Sequence, residues 1–125
     1  MKVRLELFVE DMQESIGFYA RVLGFEVERE EPGVYASLRN GTVVLGIGPI
    51  SKLDDDGGYF TEEIASLQRG LGVEIVLEVD DVDGWYRRVS DSGYPVSEPM
   101  RERPWGSKDF RIVDPDGYYL RLTSA

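Results

Sequence analysis

From Val3 to Val9 the chain reads VRLELFV, with Val3, Leu5, Leu7 and Val9 on one side of an extended backbone and Arg4, Glu6 and Phe8 on the other. This period of two predicts a half-buried strand. The period then lengthens. Met12, Ile16, Tyr19, Ala20 and Leu23 recur at helical spacing, with Asp11 as an N-cap, Glu14 three residues later and Gly24 as a stop, so a helix is expected from about 11 to 23. Strand-like pieces follow at about 25–30, 34–39 and 42–48, the last two joined by an Asn40-Gly41 hairpin turn.

The second half repeats this order. EIVLEV, Glu74 to Val79, alternates again and places Glu74, Val76 and Glu78 on one face. Val82, Trp85, Tyr86 and Val89 then form the apolar stripe of a helix ending near Gly93, with Trp85 and Tyr86 assigned to the helix core. Strands are expected near 95–100, 108–113 and 118–123, and Asp116-Gly117 stands where Asn40-Gly41 stood. On the last strand Tyr119, Arg121 and Thr123 share one face, while Leu120 and Leu122 share the other. The joints Val9-Glu10-Asp11-Met12 and Val79-Asp80-Asp81-Val82 correspond, as do the helix exits Leu23-Gly24-Phe25 and Ser92-Gly93-Tyr94. The pattern is an internal duplication of a βαβββ unit, hence an α+β class. Module one covers about 1–48, a connection 49–72 and module two 73–125, within a single domain spanning 1–125.

The connection, Pro49 to Gly72, mixes loop signals with a short helix expected over Thr61 to Arg69. It sets Asp54, Asp55 and Asp56 beside Tyr59 and Phe60. The run reads either as a solvated acidic turn or as a functional loop, since long loops in compact chains are often functional. Its glycines and final glutamate do not fall at EF-hand spacing.

Composition narrows the chemistry. The 125 residues suit one domain with a core of its own, and no apolar run approaches the length of a membrane span. Without a signal-peptide pattern, the expectation is a soluble, cytoplasmic protein. There is no cysteine and no histidine. That removes thiolate chemistry, the commonest general base and the commonest zinc ligand, leaving only oxygen ligation for a metal. The formal charge of -10, from 24 acidic and 14 basic residues, repels nucleic acid and attracts cations. It also serves solubility alone.

The duplicated unit, the joint VEDMQESIGFYARVLGFEV and the ending FRIVDPDGYYLRL together resemble the vicinal oxygen chelate superfamily. That superfamily holds glyoxalase I, extradiol dioxygenases, fosfomycin-resistance enzymes and bleomycin-resistance proteins. The resemblance covers nearly the whole chain and implies eight strands curved into an open, cupped mixed sheet, with helices outside and ligands in the cup. It also implies four metal-ligand positions, one each on the first and last strand of each module, usually histidine or glutamate. Counted from Asp11, Asp80 and the Asp114-Pro115-Asp116-Gly117 turn, these positions fall on Arg4, near Leu45, on Glu74 and on Arg121. Arginine offers no lone pair to a metal, so the usual centre cannot be built and no cofactor is expected. Glu74 is expected to pair with Arg4 or Arg121 in place of a metal.

Among metal-free relatives the chain is most similar to bleomycin-resistance proteins, which bind a drug stoichiometrically without chemistry. The resemblance therefore implies antibiotic or natural-product sequestration, with an aromatic small molecule as partner and a homodimer as the assembly. The expected ligand-binding set is Arg4, Glu6, Phe8, Leu45, Tyr59, Phe60, Glu74, Trp105, Tyr119 and Arg121. Trp105 would be an aromatic wall, Tyr59 and Phe60 a lid, and Phe8 with Tyr119 the floor. Acidic groups would suit a cationic drug, whereas inward arginines would suit an anionic or carbonyl-rich one. The rival reading is a lyase, isomerase or oxygenase of the same superfamily with a histidine-free site, Glu74 as base and Tyr119 or an arginine polarising a carbonyl. A third is a protein-protein interaction module whose cup is filled by self-satisfied polar side chains.

Overall fold

An aspartate just past the first strand starts the first helix. β1 (Leu5–Val9) runs into Asp11, whose carboxylate accepts the Glu14 N–H at 3.1 Å and opens α1 (Met12–Gly17). In the computed structural model, residues 1–55 and 59–125 are described, with only the backbone given for 53–55. The side chains of Asp54 and Asp55, and Asp56 altogether, therefore lie outside the described residues. The chain forms two units, Met1–Arg69 and Gly70–Ala125. The first part of the connection thus groups with module one.

In the first unit α1 does not run on unchanged to residue 23. Over Phe18–Val22 it widens into a π-helical turn, which brings Phe18, Tyr19, Val22 and Leu23 all into the core. The chain then crosses β2 (Glu26–Glu31), β3 (Tyr35–Asn40) and β4 (Val43–Pro49). These make a four-stranded sheet of order β1-β4-β3-β2, with β1 parallel to β4 and the other pairs antiparallel. Leu7, Leu38, Leu45 and Ile47 form its buried face, and α1 packs against β4. A 3-10 turn (Ile50–Asp55) and the short α2 (Glu62–Ala65), capped by Thr61, complete the unit.

The second unit repeats the order. β5 (Glu74–Val79) leads to Asp81, whose carboxylate accepts the Gly84 N–H at 3.0 Å and opens α3 (Val82–Asp91). Next come β6 (Glu98–Glu102), β7 (Lys108–Val113) and β8 (Tyr119–Ser124), in a sheet of order β5-β8-β7-β6 with β5 parallel to β8. Ile75, Phe110, Ile112, Leu120 and Leu122 make its buried face, under Val82 and Val89 of α3. Trp85 and Tyr86, expected in the helix core, are half-buried. Tyr86 packs edge-on against Phe110 at 5.0 Å, and Trp85 carries the Arg88 guanidinium over its ring.

β6 starts three residues later than the apolar pattern suggested. Pro95 and Pro99 lack the N–H a ladder needs, and its register against β7 shifts between Glu98 and Arg101. The turn before β8 forms as expected. The Asp114 carboxylate accepts from the N–H groups of Asp116 and Tyr118, both at 2.9 Å, while Gly117 takes the positive φ of 104° the turn requires. Both modules are thus present in tandem, eight strands in two mixed sheets, and the fold is α+β. Among the described residues no helix is long and apolar enough to cross a membrane.

Candidate functional site

Each sheet has a second face, and the chemistry lies there. In the first sheet that face carries Glu6 and Phe8 from β1, Gly46 and Gly48 from β4, and Tyr35 and Ser37 from β3. Gly46 decides what can happen on it. A Cβ at this position would collide with the Glu6 carboxylate and the Tyr35 hydroxyl, so glycine lets the two side chains meet across β4. The Tyr35 hydroxyl donates to Glu6 at 3.2 Å, and Arg4 pairs with the same Glu6 oxygen at 2.8 Å. Burial, then the Glu6 charge, push the Tyr35 phenol above its ordinary pKa. Phe8 lies beside Gly48 and meets Phe60 at 5.0 Å with the ring planes tilted by 52°, and the Phe60 ring meets Tyr59 edge-on at 5.3 Å.

The corresponding face of the second sheet is ionic. The register sets Glu98 opposite Arg111, Arg111 opposite Arg121, and Val76 opposite Arg121, with Glu74 and Val113 flanking Tyr119. Two like charges directly opposed on neighbouring strands repel unless carboxylates intervene. Glu74 does so: one of its oxygens lies 3.3 Å from Arg111 Nε and 3.6 Å from Arg121 Nε. Arg111 Nη1 also donates to Glu98 at 2.7 Å, and Arg103 donates twice to Asp109, at 2.9 and 2.7 Å. Signs therefore alternate from Arg121 through Glu74, Arg111, Glu98 and Arg103 to Asp109.

The ladder is uneven along its length. Asp109 is fully buried and the Arg103 side chain is 14% exposed, the least of the ladder's cations, which makes their pair the anchored end. The Arg103 guanidinium is held above its usual pKa, chiefly by the bond to Asp109, and Glu98 is held below the usual carboxylate value by its bond to Arg111. At the other end Arg121 is 24% exposed, yet its only ion pair among the described residues is the long one to Glu74. Its Nε is buried without a hydrogen bond, as is that of Arg111. A buried donor left unmade costs about 1–3 kcal/mol.

Among the expected residues, the structure joins Glu74 to Arg121, Arg4 to Glu6 and Phe8 to Phe60. Arg4, one residue before β1, turns to Glu6 two positions on and is 61% exposed. Leu45 needs correction: it is 2% exposed and registers with Leu5, so it belongs to the buried face, because alternate residues of a strand point opposite ways. The equivalent of Arg121 in the first sheet is Gly46, one residue on. Trp105 sits in the β6–β7 turn, where Gly106 donates to the Arg103 carbonyl at 2.9 Å, and is 66% exposed. Tyr119 shares the Arg121 face.

Arg111, Glu98, Arg103 and Asp109 were missed. Alternation along β7 would have placed Asp109 and Arg111 opposite the apolar Phe110 and Ile112, hence beside Arg121. The β6 partners had no such signal, since the prolines break the strand's period.

A divalent ion does not fit the four strand positions. They carry Arg4, Gly46, Glu74 and Arg121: two cations, a residue without a side chain, and a carboxylate already placed between two guanidiniums. Among the described residues, no three of His, Cys, Asp and Glu could share a metal ion. A separate open groove of about 370 Å³ lies between the start of α3 and the β6–β7 turn, lined by Asp80, Asp81, Asp83, Glu102, Arg103 and Lys108. Lys108 closes on Asp83 there at 2.8 Å.

The family comparison agrees with the topology. The model for the Glyoxalase/Bleomycin resistance protein/Dioxygenase superfamily matches residues 3–122. The chain is 28% identical over 116 residues to a bleomycin resistance protein of Geobacillus stearothermophilus, covering 86% of this chain and 84% of that one. Its fold is similar to that of a lactoylglutathione lyase from Agrobacterium tumefaciens, with a TM-score of 0.80, 21% identity, and 100% and 93% of the two chains covered. It is similar also to TioX from Micromonospora sp. ML1, with a TM-score of 0.76, 22% identity, and 99% and 98% covered. Two βαβββ modules matched end to end and a family model spanning almost every residue lead to one conclusion: this chain belongs to the Glyoxalase/Bleomycin resistance protein/Dioxygenase superfamily.

Proposed function

We propose that the protein is a metal-independent binder of small molecules that sequesters an antibiotic or other aromatic natural product, as a cytoplasmic homodimer. The observation that carries this reading is the placement of Glu74 between Arg111 and Arg121, where the superfamily's metalloenzymes would hold a metal. Guanidiniums hold a planar ligand by directed donors and by stacking, and they neither activate water nor abstract protons. Phe8, Tyr59 and Phe60 supply aromatic surface on the first unit, beside Arg4 and Glu6. Tyr119 and Trp105 supply it on the second. The relationship to a bleomycin resistance protein supports the same class of ligand.

The alternatives have specific weaknesses. A lyase, isomerase or oxygenase needs a base, and Glu74 is already committed to two cations. A vestigial protein-interaction module needs a self-satisfied face, whereas Arg121 leaves its donors unused among the described residues. Thermal-shift screening and calorimetry against bleomycins, mitomycins, enediynes and quinones test the proposal. The expected result is saturable binding with the ligand recovered unchanged; loss of ligand with turnover would establish an enzyme instead. Replacing Trp105 with alanine should weaken an aromatic ligand by about 1–3 kcal/mol, and unchanged affinity would place that indole outside the site.

A further inference from the structure

Six charged side chains alternate along the second sheet's open face, and their pairing is not even. Asp109 is taken by Arg103 at 2.7 Å and Glu98 by Arg111 at 2.7 Å. Glu74 remains for two cations, nearer Arg111 at 3.3 Å than Arg121 at 3.6 Å. The six charges sum to zero, three cations against three anions, but among the described residues Arg121 holds only the long contact to Glu74 and is the least neutralised of the three guanidiniums, although the chain carries -10. The net charge acts across solvent and is screened within about 8 Å at physiological salt, whereas a guanidinium in contact with an anion is not.

Arg121 has three properties of a receptor. Its side chain is three-quarters buried, so an interaction there is strengthened by low dielectric. Among the described residues no hydrogen bond reaches its guanidinium, whose fork is shaped to meet two oxygens in one plane. Tyr119 stands two residues away on the same face, offering a ring beside the charge.

We infer that Arg121, backed by Arg111, is an anion receptor, and that the ligand presents a planar carboxylate on an aromatic body, displacing Glu74 from Arg121 as it binds. This inference rests on the binding function proposed above and names its ligand class. It makes Glu74 a competitor that occupies the receptor in the empty protein. Aromatic cations, which the acidity of the chain favours, are the opposite expectation.

The probes are 2-naphthoate and its neutral amide, 2-naphthamide, titrated calorimetrically into the full-length protein. Naphthoate should bind at least tenfold more tightly than naphthamide, and the ratio should fall towards one in Arg121→Gln. In Glu74→Gln the competing charge is gone, and naphthoate should bind three- to tenfold more tightly than in the parent. That variant keeps the inference falsifiable if Arg121→Gln does not fold, because a purely structural Glu74 would give weaker binding on substitution. Equal affinity for acid and amide, or weaker naphthoate binding in Glu74→Gln, overturns the receptor while leaving small-molecule binding intact. Binding of neither probe at millimolar concentration overturns the receptor, while the binding function itself stands or falls with the antibiotic screen.

Discussion

Leu45 in the first sheet and Leu120 in the second hold the same place, each registered with an apolar residue of its parallel partner strand four positions before that strand's closing valine, Leu5 and Ile75. Both are buried, and so are the matched pairs Ile47 with Leu122, Leu38 with Ile112 and Ala36 with Phe110. One residue along, the agreement ends. Gly46 corresponds to Arg121, Ser37 to Arg111 and Tyr35 to Asp109. Duplication kept the buried face because every side chain there must fill space against a helix. The opposite face carries no such demand, so one copy meets over glycines with a hydroxyl and aromatic rings, and the other with a ladder of ions.

If a partly buried ladder of ions holds the second face, and aromatic contacts with one exposed ion pair the first, breaking matched positions should differ most at the buried ion pair. Arg103→Ala leaves Asp109 buried without its cation and should cost about 3–5 kcal/mol in denaturant unfolding. Tyr35→Phe, at the position matching Asp109, removes one hydrogen bond and should cost only about 0.5–1.5 kcal/mol. Similar losses would erase the contrast. At the matched core positions, Leu45→Ala and Leu120→Ala should each cost about 2–5 kcal/mol. A much cheaper Leu120→Ala would mean that the second core is the looser one.

The pH profile separates the faces by sign. Glu98 titrates below its ordinary value of 4.5 because Arg111 donates to it. Its stabilisation is present above the unfolded-state pKa and is lost as pH falls through the lowered folded value. Tyr35 titrates above its ordinary 10.0, through burial and then the Glu6 charge, so its contribution holds below that value and is lost as pH rises through the raised one. Lys108, raised by its bond to Asp83, acts on the alkaline side as well. Glu98→Gln should therefore flatten the acid limb of a stability-against-pH curve, and Tyr35→Phe should reduce only the alkaline limb. The smallest effect is expected for the aromatic contact: a Phe8→Ala/Phe60→Ala double-mutant cycle should give a coupling of about 0.5–1.5 kcal/mol, and a coupling near zero would remove the rings from the first face's account.

Much of this protein was legible from period alone. Alternation in VRLELFV and EIVLEV, helical spacing after Asp11 and Asp81, and the two glycine-containing turns located both modules within a few residues. Those features are local: a strand's two faces and a helix's capped start depend on residues a few positions apart. Where local rules met a competing demand the reading slipped, at β6 through its prolines and at α1 through the π turn that buries Phe18 and Val22 beside Tyr19. Only the tertiary structure decided the pairing of charges. Arg121 and Glu74 stand 47 positions apart by their numbering, and whether Glu74 faces Arg4 or Arg121, or Leu45 or Gly46 joins the open face, depends on strand order and register. A one-residue slip exchanges the two faces of a strand, so the core pattern gives away a fold early while the chemistry opposite it waits for the register.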